Sequence, residues 1–204
     1  MKLYCHYCRS FFSNCYILGT DLPEGGEAII IDPGEMDLNI LNFIEENDYT
    51  LKGVLITHDH ASQINGLATI LRVYNTEVFA INPVIREFRT TLLRDGDTVN
   101  IGSFRVEVIS VPGHSADSAV FKIDQLLFTG DTLTAGLIGS TVSSYAAATL
   151  VGSLRSKILS LPGDCTILPG QGPPTSLKAE RRFNLGINSF IEQKNRRQVF
   201  RIEL

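Results

Sequence analysis

Residues 53–67 read Gly53-Val54-Leu55-Ile56-Thr57-His58-Asp59-His60-Ala61-Ser62-Gln63-Ile64-Asn65-Gly66-Leu67. Gly53 to Thr57 is an apolar run of strand length, and the spacing predicts a helix over Ile64 to Val73. His58 and His60 fall between them, where a strand runs out into a loop. Two further strand ends of this kind lie downstream. His114 follows a strand over Phe104 to Val111 through the turn Pro112-Gly113. Asp131 follows a strand over Leu126 to Phe128 through Thr129-Gly130, and Gly113 and Gly130 are expected to take positive φ there. Loops at strand ends are where a rigid scaffold presents functional groups. Neutral imidazoles with a carboxylate suit zinc or iron(II). Residue types alone leave the other reading open, in which these are hydrogen-bonded or solvated loop side chains.

Working outward, Asn14 to Leu18 and Ala28 to Ile31 read as strands, the second closed by the turn Asp32-Pro33-Gly34. Helical spacing covers Met36 to Glu46. Glu77 to Ala80 reads as a strand, followed by a short helix near Pro83 to Arg89. Ala119 to Ile123 and Leu126 to Phe128 form a hairpin through Asp124. Ala146 to Leu159 reads as helix, Thr166 to Leu168 as strand, and Ser176 to Gln193 as mostly helix. Strands with helices in both halves suggest two sheets with helices outside, in a single domain over residues 1–204.

The chain has 204 residues with a net charge of −4. A mildly acidic chain argues against a nucleic-acid binder, whose domain pI is usually above ~9. No apolar run approaches the ~20 residues of a membrane span, and the polar N-terminus does not resemble a secretory leader. A cytoplasmic location with the four cysteines as thiols is therefore expected. Cys5-His6-Tyr7-Cys8 has no second Cys-x-x-Cys to pair with, so Cys5 and Cys8 read as buried or idle thiols. Cys15 is explained by strand packing. The basic tail Lys194, Arg196, Arg197 and Arg201 reads as a solvated face.

Thr57-His58-Asp59-His60-Ala61-Ser62-Gln63-Ile64-Asn65-Gly66-Leu67 resembles the Thr-His-x-His-x-Asp-His-x-x-Gly-Leu signature of the metallo-β-lactamase superfamily. Asn14-Cys15-Tyr16-Ile17-Leu18 resembles the family's opening strand, and Ile31-Asp32-Pro33-Gly34 its second. Pro112-Gly113-His114-Ser115 is similar to its third-histidine motif, and Phe128-Thr129-Gly130-Asp131-Thr132-Leu133 to its bridging-aspartate motif. Leu168-Pro169-Gly170-Gln171-Gly172-Pro173-Pro174-Thr175 resembles the last motif, Pro-Gly-His-Gly-Pro. Within the family the chain looks like the short glyoxalase-II-like, or hydroxyacylglutathione hydrolase-like, branch. The resemblance implies an α+β fold, a four-layer αββα sandwich, with the site along one edge of its two sheets.

The resemblance also implies which ligands remain. His58, His60 and His114 match the first-metal ligands, and Asp131 matches the bridging aspartate. The positions exclusive to the second metal hold Ser62, Gln63 and Gln171, which are weak ligands for a transition metal. Where the branch commonly carries Ile-Gly-Arg-Thr-Asp, this chain has Ile138-Gly139-Ser140-Thr141-Val142. The expectation is one zinc per chain, with iron as the alternative, in a site cleaving a thioester or other ester-type bond of a small molecule by a metal-activated water. Asp131 would be the fourth ligand or orient that water, and Asp59 is a candidate to support a ligating imidazole. One alternative is a catalytically inactive protein of this fold with a binding or regulatory role. Another is a mononuclear iron enzyme similar to persulfide dioxygenases, built on His58, His114 and Asp131. Full-length glyoxalase II enzymes add a C-terminal domain that supplies much of the thiol-cofactor site. The chain ends at Leu204, soon after the last motif, which leaves the substrate open.

Overall fold

In the computed structural model, which describes residues 1–21 and 25–189, the first half of the chain builds one sheet and the second half another. The first half runs β1 (Lys2–Cys8), β2 (Ser13–Gly19), β3 (Glu27–Ile31), α1 (Leu38–Glu46), β4 (Thr50–Leu55), α2 (Ala61–Ile64), α3 (Leu67–Val73), β5 (Glu77–Ala80), β6 (Val84–Ile85), β7 (Phe88–Arg89) and β8 (Thr91–Leu92). The second half runs β9 (Thr98–Ile101), β10 (Phe104–Ser110), β11 (Ala119–Ile123), β12 (Leu126–Gly130), β13 (Leu133–Thr134), β14 (Leu137–Ile138), α4 (Ser144–Ser153), a π-helical turn over Leu154–Ile158, β15 (Thr166–Pro169), β16 (Thr175–Ser176) and α5 (Leu177–Phe183). The sheet orders are β1-β2-β3-β4-β5-β8 and β16-β15-β12-β11-β10-β9.

Side-chain alternation decides the layering. Tyr16, Leu18, Ile29, Ile31 and Leu55 point to the second sheet, where they meet Val106, Phe121, Phe128 and Leu168. Their sequence neighbours Ile17, Ala28, Ile30 and Val54 point the other way, onto Ile40, Ile44, Leu67 and Ile70 of the helices. On the far side, Val120, Leu127 and Ile167 pack against Leu150, Leu154, Ile158 and Leu177. Three apolar layers thus hold four structural layers, the αββα sandwich. A strand buried on both faces reads as a continuous apolar run, which is why β2 and β3 were easy to read.

Several expectations change. Pro83 to Arg89 is not a helix but the hairpin β6–β7, turned at Arg86, whose φ is 52°. The helix expected over Ile64 to Val73 is two, α2 and α3, parted at Asn65-Gly66. There the Gly66 N–H donates to Pro33 O, and a Cβ at Gly66 would lie 2.5 Å from the carbonyl carbon of Glu35. β1, unread in the sequence, pairs antiparallel with β2. β9 was also unread. The C-terminal helix breaks at the extended residue Asn184. Residues 190–193 and the basic tail lie outside the described residues. Among the described residues no helix is long and apolar enough to cross a membrane.

Both sheets open their site-bearing loops at one edge. The Ala119 N–H donates to Thr57 O (2.9 Å), and the Asn14 N–H donates to Gly170 O (2.7 Å). The Tyr16 hydroxyl and the Asn14 side-chain amide both donate to Pro169 O. The loops leaving β4 and β15 are thereby tied to the opposite sheet.

Candidate metal centre

Four donor atoms converge at this edge. They belong to His58, His60, His114 and Asp131, and all lie within 4.8 Å of one another. His60 Nδ1 stands 2.9 Å from His58 Nε2 and 3.2 Å from His114 Nε2. Asp131 Oδ2 lies 3.9 Å from His58 Nε2 and 4.0 Å from His114 Nε2. Zinc–nitrogen bonds of ~2.0–2.1 Å in a tetrahedron place ligand nitrogens about 3.3 Å apart. The imidazole spacings are close to that.

Backbone form makes the convergence possible. Gly113 (φ 136°) and Gly130 (φ 49°) take the positive φ expected of them. A Cβ on Gly130 would sit 2.3 Å from Thr57 Oγ1, so the turn that delivers Asp131 admits no side chain there.

The outer ring nitrogens settle the tautomers. His114 Nδ1 faces Ser140 O at 2.8 Å, and a carbonyl only accepts, so Nδ1 carries the proton. The Thr57 hydroxyl donates to Asp32 Oδ2 (2.7 Å) and accepts from His58 Nδ1 (3.1 Å). Both Nε2 atoms therefore present lone pairs to His60 Nδ1, which has at most one proton to share between them. A cation satisfies all three nitrogens, and the donor set fits one. Burial, reinforced by the neighbouring His60 and His114, drives the His58 pKa down to about 3, so it stays a neutral imidazole. Burial also raises the Asp131 pKa, against the pull of His114, His60 and Gln63.

Residues 9–170 match the family described as the metallo-beta-lactamase superfamily. The chain belongs to the metallo-β-lactamase superfamily. An uncharacterised protein of Mycobacterium tuberculosis is 31% identical over 205 residues, covering 84% of this chain and 91% of its own. The hydroxyacylglutathione hydrolase GloC of Haemophilus influenzae is 28% identical over 204 residues, covering 88% and 95%. The crystal structure of ETHE1 from Myxococcus xanthus superposes with a TM-score of 0.80 at 26% identity, covering 96% of this chain and 92% of that one.

Within that superfamily fold, the other side of Asp131 is occupied by neutral side chains. Gln63 Nε2 donates to Asp131 Oδ1 (3.1 Å), and Gln171 Nε2 donates to Asp131 Oδ2 (3.3 Å). The Ser62 hydroxyl donates to Gln63 Oε1. Gln63 is fully buried. The last-motif loop can come this close because residue 170 is glycine: a Cβ there would meet Asp131 Oδ1 at 2.5 Å.

Asp59 meets the site through its backbone, its N–H donating to Asp117 Oδ2 at 3.0 Å. The outer nitrogens of His58 and His114 face Thr57 and Ser140 instead. Sequence reasoning missed Thr57, Asp32 and Ser140 as supports. Asp32 is wholly buried, and burial pushes its carboxyl up to about 8 against the two bonds from Thr57, which favour the ionised form. The available signal was a carboxylate directly after an all-apolar strand, read only as turn chemistry.

Proposed function

We propose that the chain is a single-metal hydrolase of thioester or other ester-type bonds, acting on a small molecule. The observation that carries this is the contrast around Asp131: three imidazole nitrogens with too few protons on one side, and two amide donors on the other. His58, His60 and His114 would hold the ion through Nε2, Nδ1 and Nε2, and Asp131 Oδ2 is the fourth donor. When bound, a divalent zinc or iron would supply Lewis acidity, lowering the pKa of water and polarising a carbonyl. The chain's own residues do the rest. Ser140 O and Thr57 keep the outer protons on His114 and His58, so the inward nitrogens remain donors. Gln63 and Gln171 fix both oxygens of Asp131, which orients the attacking water. The hydroxyacylglutathione hydrolases among the relatives support a thioester substrate. Asp59, between the two ligand histidines, is proposed to position them through its backbone bond to Asp117.

The test is elemental analysis of protein purified without added metal or a histidine tag, paired with hydrolysis of glutathione thioesters. About one zinc or iron per chain with turnover is expected for a site of this donor count. No metal, and no uptake of added zinc or iron, would overturn the reading in favour of a binding protein on this fold. One ion without turnover of any ester or thioester would overturn the catalytic part alone.

A further inference from the structure

A second cluster of metal-ligating side chains lies on the other side of the first sheet. On β1 the period-2 alternation sends His6 and Cys8 to the helix-facing side and Cys5 to solvent. The Cys-x-x-Cys pair is thus split across the sheet, and Cys8 is grouped with the histidine inside the motif. The loop from β3 to α1 brings Glu35 over both. His6, Cys8 and Glu35 each offer one donor atom, and the three lie within 4.8 Å of one another.

The cluster is built: Glu35 Oε1 accepts from the Arg9 N–H at 3.3 Å and its Oε2 from the Ser10 hydroxyl at 3.4 Å. His6 Nε2 is 3.0 Å from Glu35 Oε1 and 3.6 Å from Asp37 Oδ2, with the His6 side chain only 8% exposed. One ring nitrogen therefore faces two carboxylates. Cys8 is fully buried. Asp37 Oδ1 caps α1 through the N–H groups of Asn39 and Ile40, and its Oδ2, 3.6 Å from His6 Nε2, accepts from the Asn39 side-chain amide at 2.8 Å.

We propose that His6, Cys8 and Glu35 form a structural site for a borderline transition cation of the zinc class, with Asp37 or solvent completing the set. Imidazole, thiolate and carboxylate together select zinc-like ions over magnesium or calcium. On binding, the Cys8 S–H bond is exchanged for a sulfur–metal bond and the proton is released to solvent. The ion would lock the loop over residues 33–37 onto β1. That loop packs directly behind the catalytic edge: a Cβ on Gly34 would lie 2.2 Å from Ser62 O and 3.2 Å from Cys8 Sγ. Ser13 Oγ donates to the same Ser62 carbonyl at 2.8 Å.

Cobalt(II) titration of the full chain separates the two sites, because only this one offers sulfur. The expected result is a near-ultraviolet thiolate-to-cobalt charge-transfer band in wild type. It should persist in Cys5→Ser and in His58→Ala and vanish in Cys8→Ser. Glu35→Gln, on a half-buried loop residue, keeps the fold testable should Cys8→Ser fail to fold. It should weaken cobalt binding by more than the roughly 10- to 100-fold that losing a partner of a ligand costs. No such band at saturating cobalt, a band that survives Cys8→Ser, or unchanged affinity in Glu35→Gln would overturn the proposal.

Discussion

The two sides of Asp131 are built from the same loops yet solve opposite problems. On the histidine side, three rings meet with their inward nitrogens 2.9 and 3.2 Å apart, and hydrogen bonds to Ser140 and Thr57 deprive two of them of protons. On the glutamine side, Ser62 donates to Gln63, and Gln63 and Gln171 each donate to one carboxylate oxygen. The first side is incomplete without a cation; the second completes itself with amides. An amide presents a partial positive charge at fixed geometry, and a buried carboxylate must be paired or hydrogen-bonded. A buried carboxylate can therefore be held by neutral amides where no ion stands beside it.

The comparison breaks most visibly at the histidines. Replacing His58 or His114 with Ala should take bound metal from about one per chain to nearly none and abolish hydrolysis, since it removes an imidazole, a strong ligand for zinc or iron(II), and alanine offers no donor in its place. Elemental analysis and a thioester assay read both effects, and activity surviving in both variants would end the metallohydrolase reading. Next in size is restoration of the glutamine side. Ser62→Asp, Gln63→His and Gln171→His together should raise bound metal from about one towards two per chain, because imidazole and carboxylate replace weak ligands. A ratio that stays at one would mean the backbone, and not only the side chains, has moved away from a second site. Thr57→Val should leave the stoichiometry alone and weaken affinity. It removes the acceptor for His58 Nδ1, and partners of this kind are worth roughly 10- to 100-fold in metal affinity. A competitive chelator titration measures it, and an unchanged affinity would remove Thr57 and Asp32 from the support of the site.

How much of this was legible in the sequence follows from what each residue depends on. His58, His60, His114 and Asp131 were readable because each follows an apolar strand, and strand ends at one edge of a sandwich meet. Two sheets with helices outside were readable from the strands and helices of both halves, and the four-layer sandwich from the family resemblance of the motifs. Their supports were not. Thr57 reaches Asp32 across 25 residues and His114 reaches Ser140 across 26, pairings that no spacing rule encodes. At Ser62, Gln63 and Gln171 only the resemblance implied second-metal positions holding weak ligands. That Gln63 donates to an aspartate 68 residues away needed coordinates. β1 was hidden by its own composition: Cys5-His6-Tyr7-Cys8 drew attention as a thiol motif, whereas its alternating burial is that of an edge strand.

The smallest expected effect is also the one that tests the glutamine side most directly. Gln63→Leu keeps the volume roughly constant but leaves Asp131 Oδ1 and the Ser62 hydroxyl without their partner. A buried polar group so stranded costs about 1–3 kcal/mol, which a urea midpoint resolves. Gln63→Glu has the same shape and places a carboxylate where the amide now stands, 3.1 Å from Asp131 Oδ1. Two carboxylates at that range cannot both ionise without a proton or cation between them. Added zinc should therefore raise the midpoint of Gln63→Glu by more than that of Gln63→Leu, whose histidine side still takes one ion as wild type does. Should Gln63→Leu instead match wild type, the amide is not what holds the carboxylate, and the two sides of Asp131 differ only in that one carries histidines and the other does not.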